Sequence, residues 1–240
     1  MKKIASLILT VTMLVTMLCF PMGTSAETYD IPSNAIAITS ANVESVIAEN
    51  GTDKTYYLAE NITIQMPIAQ SFSGKLYGCG KTVTASSPLF LELNGASVSD
   101  IYIASSITID TDNVGDATDL FAGTLANTAA NVQINNVDVS GTLTFNSFPR
   151  RHYITNISFG GLIGCVASGS ITDCDNFCVV VYNDEITGSI GGLVGSVIGT
   201  EGSFSATNCV NNAAIGNATD RKSTRLNSSH NVISRMPSSA

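Results

Sequence analysis

Val98-Ser-Asp-Ile-Tyr-Ile-Ala-Ser-Ser-Ile-Thr-Ile109 and Ile134-Asn-Asn-Val-Asp-Val-Ser-Gly-Thr-Leu-Thr-Phe145 place apolar residues at the same offsets, with polar or small residues, Tyr102 apart, between them. Apolar residues two apart point to one side of an extended chain, so each block reads as strand with one buried face. The unequal steps between apolar pairs mark where the chain bends, so that successive strand pieces face inward on different sides. Two aligned blocks of this kind are a structural repeat.

Glycine-bearing steps extend the pattern. Phe90-Leu91, Phe121-Ala-Gly123, Leu162-Ile-Gly164 and Leu193-Val-Gly195 follow one another at 31, 41 and 31 residues. Units of this size are too small to bury an apolar face alone, and stacking on a neighbour solves the problem. Helical patterns between the strands are absent, which excludes a βαβ crossover fold. The predicted fold class is therefore all-β: a parallel β-helix or β-solenoid, with an antiparallel β-sandwich as the alternative. One short helix is predicted over Ser40–Asn50. Ser40 would cap it, Val43, Val46 and Ile47 share one face, and Asn50-Gly51 stops it. It would blunt the open sheet edge at the N-terminal end.

The glycine steps resemble a known family. Gly160-Gly161-Leu162-Ile-Gly164, followed by Gly169-Ser-Ile-Thr-Asp-Cys174, and Gly191-Gly192-Leu193-Val-Gly195, followed by Ser203-Phe-Ser-Ala-Thr-Asn-Cys209, look like GLUG repeats of exported bacterial surface proteins. Tyr57-Leu-Ala-Glu-Asn-Ile-Thr-Ile64 and Phe72–Val83 resemble the coil that often precedes such repeats. The likeness covers most of Ile36–Asn217. It implies a right-handed β-helix at the cell surface and a structural part for these glycines. It implies no chemistry, because the repeat is a scaffold. Some IgA-specific metalloendopeptidases carry the repeat, but the chain has no His-Glu-x-x-His motif, so no protease site is carried over.

Both ends read differently from the middle. Lys2 and Lys3, the apolar run Ile4–Phe20, Pro21 and the small residues Thr24-Ser-Ala26 predict a signal peptide over residues 1–26. Met17 and Leu18 before Cys19 are wrong for lipid anchoring. Residues 220–240 change composition abruptly. Asp220–His230 and Ser234–Ala240 read as the two flanks of a translated sequencing-library adapter, so this tail is expected to be an artefact. The β-solenoid is assigned to residues 27–219, truncated at its C-terminus.

The whole chain of 240 residues carries a net charge of −8, with 12% charged residues and 44% hydrophobic ones. Ordinary globular chains are about 25% charged, so Ser, Thr and Asn must supply the polar surface. Residues 27–219 alone hold 5 basic and 18 acidic side chains, a net charge of −13. An acidic exported surface repels nucleic acid and anionic membranes, and neither is an expected partner. Zero Trp and 7% aromatic residues argue weakly against a stacking sugar binder.

Candidate chemistry is sparse. Neither glycine step continues into Lys-Ser/Thr or opens a helix, so a phosphate loop is not read there. Five cysteines follow the signal, without the paired spacing of a disulfide framework. Cys174 and Cys178 make C-x-x-x-C, but His152 is the one histidine before the tail, which is too little for zinc. Asp110, Asp112, Asp116 and Asp119 form a weak calcium candidate. Val114 takes a ligand position of the EF-hand pattern and Phe121 stands where the bidentate Glu belongs. Arg150-Arg151-His152 is a lone basic cluster in an exposed loop. Asn61-Ile-Thr and Asn156-Ile-Ser match glycosylation acceptors and are discounted behind a bacterial signal. No catalytic residue and no cofactor is assigned.

Aligned by their inward offsets, Ile101, Val137, Cys174 and Cys209 fall in one core column, about 4.8 Å apart from coil to coil. Cysteine there acts as a small hydrophobe. Buried thiols are the expectation, because a close-packed column needs no cross-link and the cysteine count is odd; a Cys174–Cys209 disulfide, which also fits that spacing, is the alternative. The functional expectation is a non-catalytic scaffold or adhesion segment of a secreted or cell-surface bacterial protein. Its partner would be a surface ligand, protein or glycan. The alternatives are a fragment of a polysaccharide-active β-helix enzyme or the accessory region of a surface metalloprotease.

Overall fold

The computed structural model describes residues 29–109, 119–146, 156–182, 188–200 and 202–217. The expected signal peptide and adapter-like tail lie outside them. Tyr29 and Asp30 are in no strand or helix, and the unit described below begins at Ile31.

From Ile31 onward the chain winds in coils. The first holds β1 (Ile36–Ile38) and α1 (Val46–Asn50); the second holds β2 (Thr55–Leu58), β3 (Ile62–Ile64) and β4 (Ala69–Phe72). The third is β5 (Lys75–Ala85) and β6 (Phe90–Asn94). The fourth is β7 (Ser97–Ile109), β8 (Asp119–Ala122) and β9 (Ala126–Ala130). The fifth is β10 (Val132–Phe145), β11 (Asn156–Gly160) and β12 (Ile163–Val166). The sixth is β13 (Gly169–Thr172), β14 (Asp175–Tyr182), β15 (Ser189–Gly191) and β16 (Val194–Val197). The last is β17 (Phe204–Thr207), β18 (Val210–Asn211) and β19 (Ile215–Asn217).

Among the described residues every strand pairing is parallel, which gives a parallel β-helix and excludes the antiparallel sandwich. A first sheet of eleven strands runs through all coils; a second holds β4, β6, β9, β12 and β16, and a third holds β8, β11 and β15. The third sheet enters only at the fourth coil. Ile36 pairs with Tyr56 and Thr55 with Lys75, 20 residues on, whereas Gln133 pairs with Ser97, 36 residues back.

The two diagnostic blocks pair residue for residue: Val98 with Ile134, Ile101 with Val137, Ile103 with Val139, and Ile107 with Leu143. Each of these eight side chains is buried. The phase slip between Val98 and Ile101 has a backbone cause. Asp100 and Asn136 have φ of 59° and 51°, and the same position in the next coils is Asp173 (52°) and Asn208 (54°). One left-handed residue advances the strand by an extra step, so positions i and i+3 both face inward. Asn and Asp tolerate this conformation best after glycine. The column is also bonded along itself, Asn136 Nδ2 donating to Asp100 Oδ1 at 2.9 Å. Replacing Asn136 by Ala is expected to cost about 1–2 kcal/mol in urea unfolding, while Asn136→Gly stays within about 0.5 kcal/mol of wild type. The reverse order would mean this bend is not left-handed.

The interior is mostly apolar, and aromatic rings fill its early coils. Phe72 stacks on Phe90 with centroids 4.9 Å apart and meets Tyr56 at 6.0 Å. The helix differs from its expectation. It spans five residues, and Ser40 does not cap it, because the helix begins at Val46 with Ser45 before it. The Ser40 N–H donates to Glu60 Oε1 at 2.7 Å. Asn42 instead closes a turn, accepting from Thr39 N–H at 2.8 Å and donating to Ala37 O at 3.0 Å. Such side-chain bonding competes with a helical first turn. Val43, Val46 and Ile47 are still buried together in the core. The Ser40 N–H holds the Glu60 carboxyl below its ordinary value.

Candidate functional site

The glycine steps are corners between the third sheet and the second. Only Gly161-Leu162 separates β11 from β12, and only Gly192-Leu193 separates β15 from β16. The corners stack through Gly161 N–H to Gly192 O (2.8 Å) and Leu162 N–H to Leu193 O (2.9 Å). One coil earlier Leu125 N–H donates to Leu162 O at 2.9 Å, so Gly123-Thr-Leu125 is the preceding copy. This corrects the spacing read from the sequence. Phe121 pairs with Ser158 in the third sheet, whereas Phe90 pairs with Ala126 in the second. The continuous register is Phe90, Ala126, Ile163 and Val194, with steps of 36, 37 and 31 residues. Because the corner is so short, a misplacement of a few residues moves a side chain from one sheet to another.

Each glycine of the corner has its own steric reason. A Cβ on Gly123, Gly160 or Gly191 would run into the carbonyl oxygen three residues on, which folds back over the turn. A Cβ on Gly161 would overlap the Asn176 amide, and one on Gly192 the Asn211 amide. Gly164 and Gly195 lie against the third-sheet backbone of the coil before, at Ala122 and Phe159.

What the second glycines make room for is a polar column inside the core. Asn176 is fully buried and occupies the register of Val139 in the coil below. Its Oδ1 accepts from Cys178 N–H at 3.0 Å, and its Nδ2 donates to Cys178 O (3.2 Å) and to Asn211 Oδ1 (2.7 Å). Asn211 Nδ2 in turn donates to Ala213 O at 3.1 Å. A buried amide satisfied at both ends is tolerated in an apolar interior; one left unpaired is not.

The cysteines line the same interior. Ile101, Val137 and Cys174 are buried, and Cys209 is half-buried in the next coil. Cys178 is buried with its Sγ 3.4 Å from Ser105 Oγ. Burial pushes the Cys165 and Cys178 thiols up. All five described cysteines are free thiols.

The other candidates come together less. Asp119 is exposed and accepts from Asn156 Nδ2 at 2.6 Å. Asp110, Asp112 and Asp116 lie outside the described residues, as do Arg150, Arg151 and His152. Among the described residues no three His, Cys, Asp or Glu side chains converge, and no helix is long and apolar enough to cross a membrane.

Two features of the outward surface were not read from the sequence. The first is a shallow polar cleft of about 340 Å³ beside Asp53, Lys75, Ser97, Asn131 and Gln133. Thr55, Lys75, Ser97 and Gln133 are register partners there, one per coil. The second is an aromatic patch on the first sheet. Tyr102 is 38% exposed and Phe177 46%, in the fourth and sixth coils. Ser140 lies between them, accepting from the Tyr102 hydroxyl at 2.7 Å and pairing with Phe177. Comparison of the chain with known family models, curated proteins and solved structures finds no match.

Proposed function

We propose that this chain is a non-catalytic scaffold of GLUG-like repeats in an exported bacterial surface protein, presenting the outer face of its first sheet to a protein or glycan ligand. The observation that carries the reading is the Tyr102–Ser140–Phe177 patch. Two aromatic rings stand exposed on one sheet face, with Ser140 between them and Asp138 in register with Tyr102, and exposed aromatic side chains beside small polar groups are a contact surface. The conspicuous glycines and Asn176, by contrast, serve the coil corners and the core. Parallel coils hold the patch rigid, so its rings lose little freedom on contact.

The test is binding of the full chain to immobilised matrix proteins and surface glycans. The Tyr102→Ala, Phe177→Ala double variant should weaken the captured ligand at least about tenfold, with an unchanged urea midpoint. A ligand held equally well by the double variant would move the contact face elsewhere. Failure to bind any member of the panel would count against the binding role.

A further inference from the structure

Cys174 and Cys209 occupy equivalent places in consecutive coils. Thr172 pairs with Thr207 before them and Asp175 with Val210 after them. Asp173 N–H donates to Thr207 O at 3.0 Å, and Val210 N–H to Cys174 O at 3.1 Å. Each cysteine follows a left-handed residue, and each thiol lies 3.2 Å from the carbonyl oxygen two residues back. Their side chains therefore leave the backbone in the same direction, one above the other in consecutive coils. Adjacent parallel strands hold such a pair about 4.8 Å apart at Cα, within the range a disulfide spans.

We infer that Cys174 and Cys209 are a redox pair, which a low-molecular-weight disulfide converts to an intrachain disulfide joining the last described coil to the one before it. Cys209 is the attacking thiol, since it is half-exposed, and the fully buried Cys174 is the resolving one. The neighbouring Cys174 draws the Cys209 thiol down to about 7 against the opposing effects of burial and of Asp173. Cys209 beside it, with burial, pushes Cys174 up. In the first step the Cys209 thiolate attacks one sulfur of the oxidant. The oxidant's S–S bond breaks, and the leaving thiolate takes up a proton. In the second step Cys174 gives up its proton and attacks Cys209 Sγ, expelling the other half of the oxidant as a second thiol. The protein loses two electrons and two protons, and the oxidant gains both.

The experiment is incubation of the reduced full chain with glutathione disulfide near pH 8, followed by peptide mapping without reductant. The expected product is a Cys174–Cys209 cross-linked peptide, lighter by about 2 Da than the sum of its two parts. The melting temperature should rise by about 5 °C or more. In Cys174→Ser the reaction should stop at glutathione attached to Cys209. The proposal is overturned if glutathione remains on Cys209 in the wild-type chain, or if neither thiol reacts. The wild-type map alone decides, so a variant that fails to fold does not blunt the test.

Discussion

Replacing Gly160 by alanine is expected to destabilise the β-helix by about 3 kcal/mol, the upper end of what overpacking a core costs. Gly160 is buried where the chain leaves the third sheet for the second. An added methyl would enter the space of the Ile163 carbonyl oxygen and sit 2.6 Å from Gly195 N and 2.7 Å from Leu193 O. All three atoms are backbone, two of them in the next coil, so no side chain can swing away to relieve the overlap. The corner and the coil stacked on it must both move. A loss of this size should lower the melting temperature by about 6–12 °C. Gly216→Ala is the matched control, because nothing lies within 4 Å of a Cβ built there. It should stay within about 0.5 kcal/mol of wild type. Equal effects of the two substitutions, read by urea unfolding, would show that the corner is not close-packed.

The same contrast explains how much of this molecule was legible in its sequence. The β7 and β10 blocks were readable to the residue, since inward apolar side chains and one left-handed Asx leave few alternative registers. The glycine corners were readable as corners. Their equivalences further back were not, because Thr124 stands where Gly161 stands one coil later, and Phe121 imitates the motif four residues too early. Thr124 is possible there because the next coil carries Val139 in the register of Asn176. Its hydroxyl turns instead to Gly161 O, at 2.7 Å. The Asn column itself left a signal that periodicity hides: Asp173-Cys-Asp-Asn176 and Asn208-Cys-Val-Asn211 repeat the same Asx-Cys-x-Asn, each after a double glycine. Polar residues at inward offsets read as turns until the glycines opposite them are considered. The short helix was overread for a local reason, the Asn42 turn that replaces its first turn. The surface features were illegible because outward residues obey no period beyond that of the strands. Which rings are exposed together follows from coil register alone.

Asn176→Asp is expected to be the most damaging of the substitutions proposed and to become far milder at low pH. The change keeps the shape of the side chain but exchanges a two-hydrogen donor for a second acceptor. In the wild type Nδ2 donates to Cys178 O and to Asn211 Oδ1. An ionised carboxylate would turn both contacts into repulsions, at a fully buried position with no cation among the described residues bonded to it. Burial of this kind raises a carboxyl by about 3–5 pK units, which corresponds to at least about 4 kcal/mol at neutral pH. The sign follows from linkage. Below about pH 4 both folded and unfolded chains carry the protonated acid, and only the cost of one missing donor remains. As pH rises through that value the unfolded chain ionises while the folded one does not. Stability then falls by about 1.4 kcal/mol per pH unit until the raised folded value is passed. Asn176→Ala leaves the Cys178 backbone groups and Asn211 Oδ1 without their partner, and should cost about 2–3 kcal/mol at every pH. Subtracting the Ala profile from the Asp profile removes the acid response of the other carboxylates. A difference that stays flat between pH 4 and 8 in denaturant titrations would place the amide in contact with water and break the interior column.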